Sequence, residues 1–232
     1  LHIGSKLLWL CGVVALCLLF GTSRITDFVR GWPLPDWNLV ACDVGQGDAT
    51  VIRTGPASAI VVDAGGDEEK VDQCLQDLDI TAVDLFIVSH FHADHVGGIS
   101  GVVRDRIAKV ALLPPQSEPA TGLTLVRDCF DRISFAHLGQ QGKINDVHWQ
   151  VVYVGEKVSD AGDGTAVNNS SLVVVFTIHG VGVWLTGDIE NAAQAALMHS
   201  MRAPTMSLSK IPHHGSRYQD AEFASWLHPA IS

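Results

Sequence analysis

Cysteine is sparse in this chain and never closely paired. The five residues, Cys11, Cys17, Cys42, Cys74 and Cys129, are odd in number and form no C-x-x-C step. That pattern offers neither a disulfide framework nor a cysteine metal knot, and it leaves the redox compartment open. Positive charge is scarce too: 15 lysines and arginines stand against 25 aspartates and glutamates, a formal net charge of −10. Such a surface does not grip nucleic acid by electrostatics alone, although a nucleic-acid substrate held through metal ions remains compatible. No solenoid-type repeat and no low-complexity run is present. With 17% charged and 47% hydrophobic residues the chain is not disordered. Its 232 residues suffice for one sizeable domain with a real core, or for two small ones.

The chain begins with leucine and reads as a piece of a longer one. Residues 3–22, "IGSKLLWLCGVVALCLLFGT", are interrupted only by Lys6. As a helix they reach about 30 Å, roughly one hydrocarbon core. We therefore expect a transmembrane helix over residues 1–23, with Lys6 snorkelling near one end. The alternatives are a secretory signal with its apolar stretch at Leu7–Phe20, and a buried core helix. Lys6 on one side and Arg24 and Arg30 on the other leave the orientation open. "RGWPLPDW" reads as a linker leaving a membrane interface, so residues 24–36 connect the span to a domain over 37–232.

From Trp37 onward short apolar strands alternate with glycine-rich turns. "NLVACDV", "ATVIRTG" and "SAIVVDAGG" read as consecutive strands. In "DEEKVDQCLQDLD", Val71, Cys74, Leu75 and Leu78 fall at helical spacing. "VDLFIVS" is the continuous apolar run of a strand covered on both faces. "IAKVALLP" is expected to be a strand and "GLTLVRDCFDRI" a helix; "VHWQVVYV", "SLVVVFTI" and "GVWLTGD" are further strands, the last two joined by a turn at His179–Gly180. "IENAAQAALMHS" and "DAEFASWLH" read as helices around the extended "TMSLSKIP". The closing "PAIS" reads as a strand cut off at its start, which implies a domain truncated at its C-terminal end. Strands broken by helices in both halves suggest sheets with helices packed outside.

"LFIVSHFHADHVGG", residues 85–98, carries the chemistry. Near the end of an extended segment, side chains two apart point the same way, so His90 and His92 can share one target. Asp94 and His95 sit in the following turn and can converge from another direction. Neutral imidazoles and a carboxylate are ligands for Zn²⁺ or Mn²⁺, and Gly97 and Gly98 permit a tight turn below. A histidine-rich surface loop is the plain alternative. Against it, Asp63 in "IVVDAGG", Asp188 in "VWLTGD", and His213 and His214 in "IPHHGS" each follow an apolar strand. Turn and helix-cap roles explain one such aspartate; four strand ends of this kind point to a shared edge.

H-x-H-x-D-H with a later T-G-D and a final histidine resembles the metallo-β-lactamase fold superfamily, over Asp43 to Ser216. More narrowly, "DVGQGDAT", "SHFHADHVGG", "NNSSLVVVF", "LTGDIE" and "IPHHGS" resemble the C-terminal domain of the ComEC family of DNA-internalisation competence proteins. The resemblance implies an α+β fold, a four-layer αββα sandwich with a binuclear site at one edge, preceded by the transmembrane helix. It implies two divalent ions, Zn²⁺ or Mn²⁺: the first on His90 and His92, the second on Asp94, His95 and His213, with Asp188 bridging. Asp63 would orient a ligand through a hydrogen bond. Gln46 and Asp48, in the "DVGQGD" turn, would lie near the metals, with a simple hairpin turn as the alternative. In that family the domain follows a membrane channel region, which implies a channel domain upstream in the same chain. It also implies a cell-membrane location with the hydrolase domain on the extracytoplasmic side, and DNA as substrate.

One departure stands out. The superfamily's further histidine for the first metal is missing; "AVNNSSLVV" occupies its place, so Asn168 or Asn169 stands there. His137, His148 and His179 are the histidines in that interval and none belongs to a motif. A neutral, harder amide oxygen implies a weaker first site, leaning towards Mn²⁺ or Mg²⁺. Two ions about 3.5–4 Å apart lower the pKa of a shared water and clamp the attacked group; that hydroxide, not a side chain, is the expected nucleophile. Asp94 would orient it, and His214 and Ser216 would contact a phosphate or protonate the leaving group, against a capping role for His214. Lys210 would add positive charge or simply be solvated. Three functions are compatible: a DNA phosphodiesterase, a membrane-tethered hydrolase of another ester, thioester or lactam, and a non-catalytic metal-stiffened module of a DNA channel. Arg104, Arg106, Lys109, Arg127 and Arg132 would serve the first, or form an ordinary solvated face.

Overall fold

Short runs rich in valine and isoleucine build the first sheet. β1 (Leu39–Ala41), β2 (Thr50–Gly55) and β3 (Ser58–Val62) form an antiparallel meander, with Val51 opposite Val61 and Ile52 opposite Ile60. Asp67 caps α1 (Glu68–Asp77) by accepting from the Glu69 and Lys70 amides, and Val71 and Leu75 face inward. This helix is the crossover that returns the chain to β4 (Ala82–Ile87), parallel to β3. After α2 (Ala93–Val96) and α3 (Ile99–Val103) come β5 (Ile107–Ala108), β6 (Ala111–Leu113), α4 (Ala120–Cys129) and β7 (Ile133–Phe135). The sheet order is β1-β2-β3-β4-β6-β7, with β5 on the lower half of β4.

The structure is a computed structural model that describes residues 31–158, 162, 164–202 and 206–232. It divides into Leu1–Trp37 and Asn38–Ser232, and all strands and helices named here lie in the second unit. The apolar span expected over residues 1–23 lies outside the described residues. Among the described residues no helix is long and apolar enough to cross a membrane.

The second sheet is an antiparallel ladder closed by one parallel strand. β8 (Gln141–Ile144), β9 (Val147–Val154), β10 (Leu172–Ile178) and β11 (Val181–Leu185) pair in sequence, α5 (Gly164–Asn169) precedes β10, and β12 (Leu208–Ser209) lies parallel to β11. The two sheets bury Ile52, Ile60, Val62, Leu85, Ile87 and Leu112 against Val147, Val151, Val174, Phe176 and Leu185. Outside the second sheet, α6 (Asn191–Ser200) and α7 (Phe223–Leu227) cover Trp184 and Val173 with Ala193, Leu197, Phe223 and Leu227. Outside the first, Phe86 of β4 stacks on Phe130 with ring centres 5.3 Å apart. Each sheet thus has one face on its partner and one under helices, the αββα layering expected.

Four local readings are corrected. Cys42 and Cys74 are joined as a disulfide across a sequence separation of 32 residues, with Cα atoms 5.9 Å apart, so one bridge exists where spacing indicated none. "IAKVALLP" is two strands, because Lys109 and Val110 break the ladder between β5 and β6. The helix in "GLTLVRDCFDRI" ends at Cys129, and β7 follows at once. The basic set is not one solvated face: Arg106 is buried on Asp72 at 2.8 Å, Arg104 reaches Asp72 and Glu69, and Lys109 pairs with Asp84. The Asp72 and Glu69 pairs pin α1 to the segment between α3 and β6, and Lys109 ties that segment to β4.

Candidate metal centre

Strand ends at one edge of the sandwich deliver the polar groups. β3 ends at Asp63, whose φ of 60° turns the chain sharply. β4 runs through buried Val88 to Ser89 and His90, and His92 precedes α2, which carries Asp94 and His95. β11 leads into Thr186, Gly187 and Asp188, all of them buried. β12 leads into Lys210 and then His213 and His214, which hold successive left-handed conformations (φ 47° and 52°). Two adjacent non-glycine residues in that region are rare and strained, a pattern found where a fold fixes side chains for function. The "DVGQGD" loop arrives from β1. Gly47, at φ 105°, lets its backbone lie against the Asp94 carbonyl where a methyl group would collide.

Asp48, His95, Asp188 and His214 each offer one ligand atom within 4.8 Å of one another. His95 Nε2 is 3.0 Å, and His214 Nε2 3.3 Å, from Asp188 Oδ2. His214 Nδ1 lies 3.3 Å from Asp48 Oδ1, and Asp94 Oδ2 is 3.7 Å from His214 Nε2. Lys210 Nζ sits 2.6 Å from Asp48 Oδ2 and 3.4 Å from Asp188 Oδ1, and it donates to the Gly187 carbonyl. Alongside, His90 Nε2 and His92 Nδ1 face each other at 3.1 Å. The rings of His90 and His95 are centred 4.1 Å apart, so the two groups of ligands adjoin.

Buried partners fix how the rings present themselves. Asp63 accepts from the Ser89 amide and hydroxyl, both at 2.7 Å, and lies 2.9 Å from His95 Nδ1. The ring therefore carries its Nδ1 proton towards Asp63 and aims Nε2 at Asp188. Ser89 spends its hydroxyl proton on Asp63, so at 3.0 Å it accepts from His90 Nδ1, which frees Nε2. Ser171 stands 3.2 Å from the same Nδ1 and also accepts from the Asp188 amide.

The electrostatics are those of a cation site. Burial would raise the Asp188 carboxyl, yet hydrogen bonds from His214 and His95 and the Lys210 charge hold it far below the usual range. The His214 hydrogen bond does the same for Asp94. Burial opposes a proton on His95, but the Asp63 and Asp188 carboxylates push its pKa up to about 10. His214, bonded to Asp188, Asp48 and Asp94, is pushed up to about 11. His90 goes the other way, lowered by burial and by His95. Carboxylates thus draw protons onto two of the imidazoles, a role a divalent ion would take over with proton release.

The donor set fits such ions. Two imidazole nitrogens on one tetrahedral Zn²⁺ at ~2.0–2.1 Å would stand about 3.3 Å apart. The His90–His92 pair is at 3.1 Å, and the contacts of His95 and His214 to Asp188 are at 3.0 and 3.3 Å. Imidazole nitrogen with carboxylate oxygen suits Zn²⁺ and Mn²⁺ alike.

Several residues stand elsewhere than the sequence suggested. His213 is outside the cluster, with Nδ1 3.1 Å from Glu190 Oε1, and His214 takes the inward position, because the two left-handed residues send their rings apart. Asp48 belongs to the cluster itself instead of bordering it. Gln46 donates to Asp94 at 3.3 Å. Asn168 donates to Glu190 at 2.8 Å and lies within reach of His92. Asn169 accepts from the Glu190 and Ala193 amides, which makes it the cap of α6. Ser216 accepts from the Tyr218 amide within a turn. Sequence reasoning missed Glu190 and Ser171. The second lay in plain view in "NNSSLVVVF", as a hydroxyl at the start of a strand whose other end is apolar.

The family model described as "Metallo-beta-lactamase superfamily" matches residues 42–223. ComE operon protein 3 of Bacillus subtilis (strain 168) is 25% identical over 211 residues, 81% of this chain and 26% of that protein. Hydroxyacylglutathione hydrolase of Aliivibrio fischeri (strain MJ11) is 31% identical over 119 residues, 49% of this chain and 44% of that one. The chain therefore spans less than half the length of either relative. Among solved structures, the metallo-beta-lactamase SMB-1 gives a TM-score of 0.56 at 14% identity, over 82% of this chain and 88% of that one. The Rm3 metallo-beta-lactamase gives 0.54 at 16% identity, over 81% and 80%. These last two likenesses speak to the fold. With the family match running through nearly the whole second unit, the chain belongs to the metallo-beta-lactamase superfamily, a family of metal-dependent hydrolases.

Proposed function

We propose that this chain is the hydrolase domain of a ComEC-like DNA-uptake protein, and that it cleaves phosphodiester bonds in incoming DNA. The observation that carries the hydrolase part is the convergence of Asp48, His95, Asp188 and His214 within 4.8 Å, with Asp94 and the His90–His92 pair beside them. The DNA part rests on the likeness to ComE operon protein 3 over 81% of the chain, together with the motifs at 43–50, 89–98 and 211–216. Two divalent ions would be held, one by Asp48, His95, Asp188 and His214 with Asp94, the other by His90 and His92 with Asn168 nearby. Such ions supply a Lewis acid for the attacked group and a water acidic enough to react near neutrality.

The chain's own groups have definable tasks. Asp63 keeps the His95 tautomer and ring direction; Ser89 and Ser171 do so for His90. Asp94, held ionised and half-exposed, is placed to accept a proton from an attacking water. Lys210 offsets the charge of Asp48 and Asp188 and would attract an anionic phosphate. The Cys42–Cys74 bridge supports an extracytoplasmic location, since such bonds persist in oxidising compartments.

A second reading, hydrolysis of a thioester, is favoured by the likeness to hydroxyacylglutathione hydrolase. Assaying the Mn²⁺- or Zn²⁺-loaded chain on single-stranded DNA and on a glutathione thioester separates the two. Turnover of DNA that vanishes in Asp188→Ala supports the proposal. Turnover of the thioester alone, or of neither, defeats it.

A further inference from the structure

Next to the metal centre, the turn after β6 borders a cavity of about 420 Å³ lined by Pro115, Gln116, Leu123, Arg127, Phe135 and Lys157, within the usual size for small-ligand sites. β6 runs parallel to β4 with Leu112 beside Ile87, so the residues after β6 emerge beside Ser89 and His90. The first turn of α4 comes close enough to the H-x-H-x-D-H loop that a methyl on Gly122 would meet Phe91. Gln116 is also wired to the centre: its Nε2 donates to Ser170 Oγ, and the next residue, Ser171, holds His90 and Asp188.

Gln116 is 6% exposed and its Oε1 has no hydrogen-bond partner. The amide cannot be turned round to relieve this. Ser170 commits its proton to the Val167 carbonyl at 2.5 Å, so it can only accept from Gln116, and Nε2 must face it. A buried acceptor without a donor is costly, and Oε1 lies out of reach of solvent beneath the cavity wall, so Gln116 shapes the wall and is not itself a ligand contact. Beside it, Phe135 at the end of β7 is 47% exposed and lines the cavity. Arg127 and Lys157 are exposed and make no ion pair among the described residues, in contrast to Arg104, Arg106 and Lys109. An open aromatic face and two cations without an ion pair among the described residues, in a chain of net charge −10, are together the parts of a single-strand nucleic-acid site.

We propose that this cavity holds one nucleotide of a single DNA strand beside the metal centre, with the base stacked on Phe135 and the flanking phosphates on Arg127 and Lys157. This rests on the proposed DNA substrate and adds to it a defined place where the strand is gripped away from the metal ions.

Binding of a labelled oligodeoxythymidylate, followed by fluorescence anisotropy in EDTA, tests it without metal or turnover. Phe135→Ala should weaken binding about tenfold, and Arg127→Ala with Lys157→Ala should weaken it at least as much and flatten its salt dependence. An abasic strand of equal length should bind the wild type as weakly as the normal strand binds Phe135→Ala. Lys143→Ala, on the far strand β8, should change nothing. Deoxythymidine monophosphate should compete far less well than the strand. Wild-type affinity in the cavity variants, equal binding of the abasic strand, equal loss in Lys143→Ala, or equal competition by the mononucleotide each overturns the proposal. An inactive chain that still binds through these residues would defeat the hydrolase reading and leave this one. An active phosphodiesterase whose variants bind normally would do the reverse.

Discussion

His95 Nδ1 lies 2.9 Å from the Asp63 carboxylate, and both side chains are almost wholly buried. Asp63→Asn keeps the shape but puts an amide where the ring's proton is received. Metal affinity is expected to fall about 10–100-fold, the usual effect of losing a partner that orients a ligand. Calorimetric titration with Mn²⁺ on a variant whose circular dichroism matches the wild type measures it. Unchanged affinity would show that Asp63 only serves folding.

The protonated rings give the metal-free chain a defined pH response. His95, pushed from 6.5 up to about 10, contributes stability that is complete below about 6.5 and is lost as pH rises through about 10. Asp188, held far below its ordinary 3.8, contributes stability present above that value and lost on strong acidification. Denaturant titrations of the metal-free chain should therefore show stability falling from pH 6.5 towards 10, and Asp63→Asn should flatten the fall. Saturating Mn²⁺ should have the opposite trend, binding more tightly as pH rises because the rings must give up protons.

The adjacent histidines should separate cleanly. His214→Ala removes a ring from the cluster and is expected to lower the bound metal per chain. His213→Ala removes a ring that only approaches Glu190, whose Oε1 keeps the Asn168 amide, and should leave metal content intact with little loss of stability. Metal analysis and urea titration on both variants decide it; loss of metal from His213→Ala with none from His214→Ala would reverse the assignment.

Much of this arrangement was legible because buried strands read as apolar runs. "SAIVVD", "LFIVSH" and "VWLTGD" mark where β3, β4 and β11 end, and hence where Asp63, His90 and Asp188 emerge on one edge. β9 is the eight residues "VHWQVVYV" as read. What spacing could not reveal depends on the third dimension. Cys42 and Cys74 meet only through the tertiary fold, 32 residues apart in sequence, and β7 and β8 are edge strands of three and four residues, too short to show a pattern. The order of His213 and His214 turns on two left-handed dihedrals, and the place of Asp48 on the collision-free approach at Gly47.

The disulfide closes a loop that contains β2, β3 and the start of α1, and it is anchored just before the segment carrying Asp48. Reduction, or Cys74→Ser, is expected to lower stability by about 2–4 kcal/mol and to weaken metal binding as the 43–48 loop loosens. Urea titration with and without reductant reads the first effect and Mn²⁺ titration the second. A reduced chain with full stability would mean that the hydrogen bonds of Asp48 and Gly65 hold the loop alone.

Metal content is the most direct test of the whole account. Equilibrium dialysis of the folded chain against Mn²⁺ and against Zn²⁺, read by elemental mass spectrometry, should give about two ions per wild-type chain and a clear loss in Asp188→Ala, whose carboxylate faces His95 and His214 together. A wild type that binds no ion, or an Asp188→Ala variant with undiminished content, would contradict it.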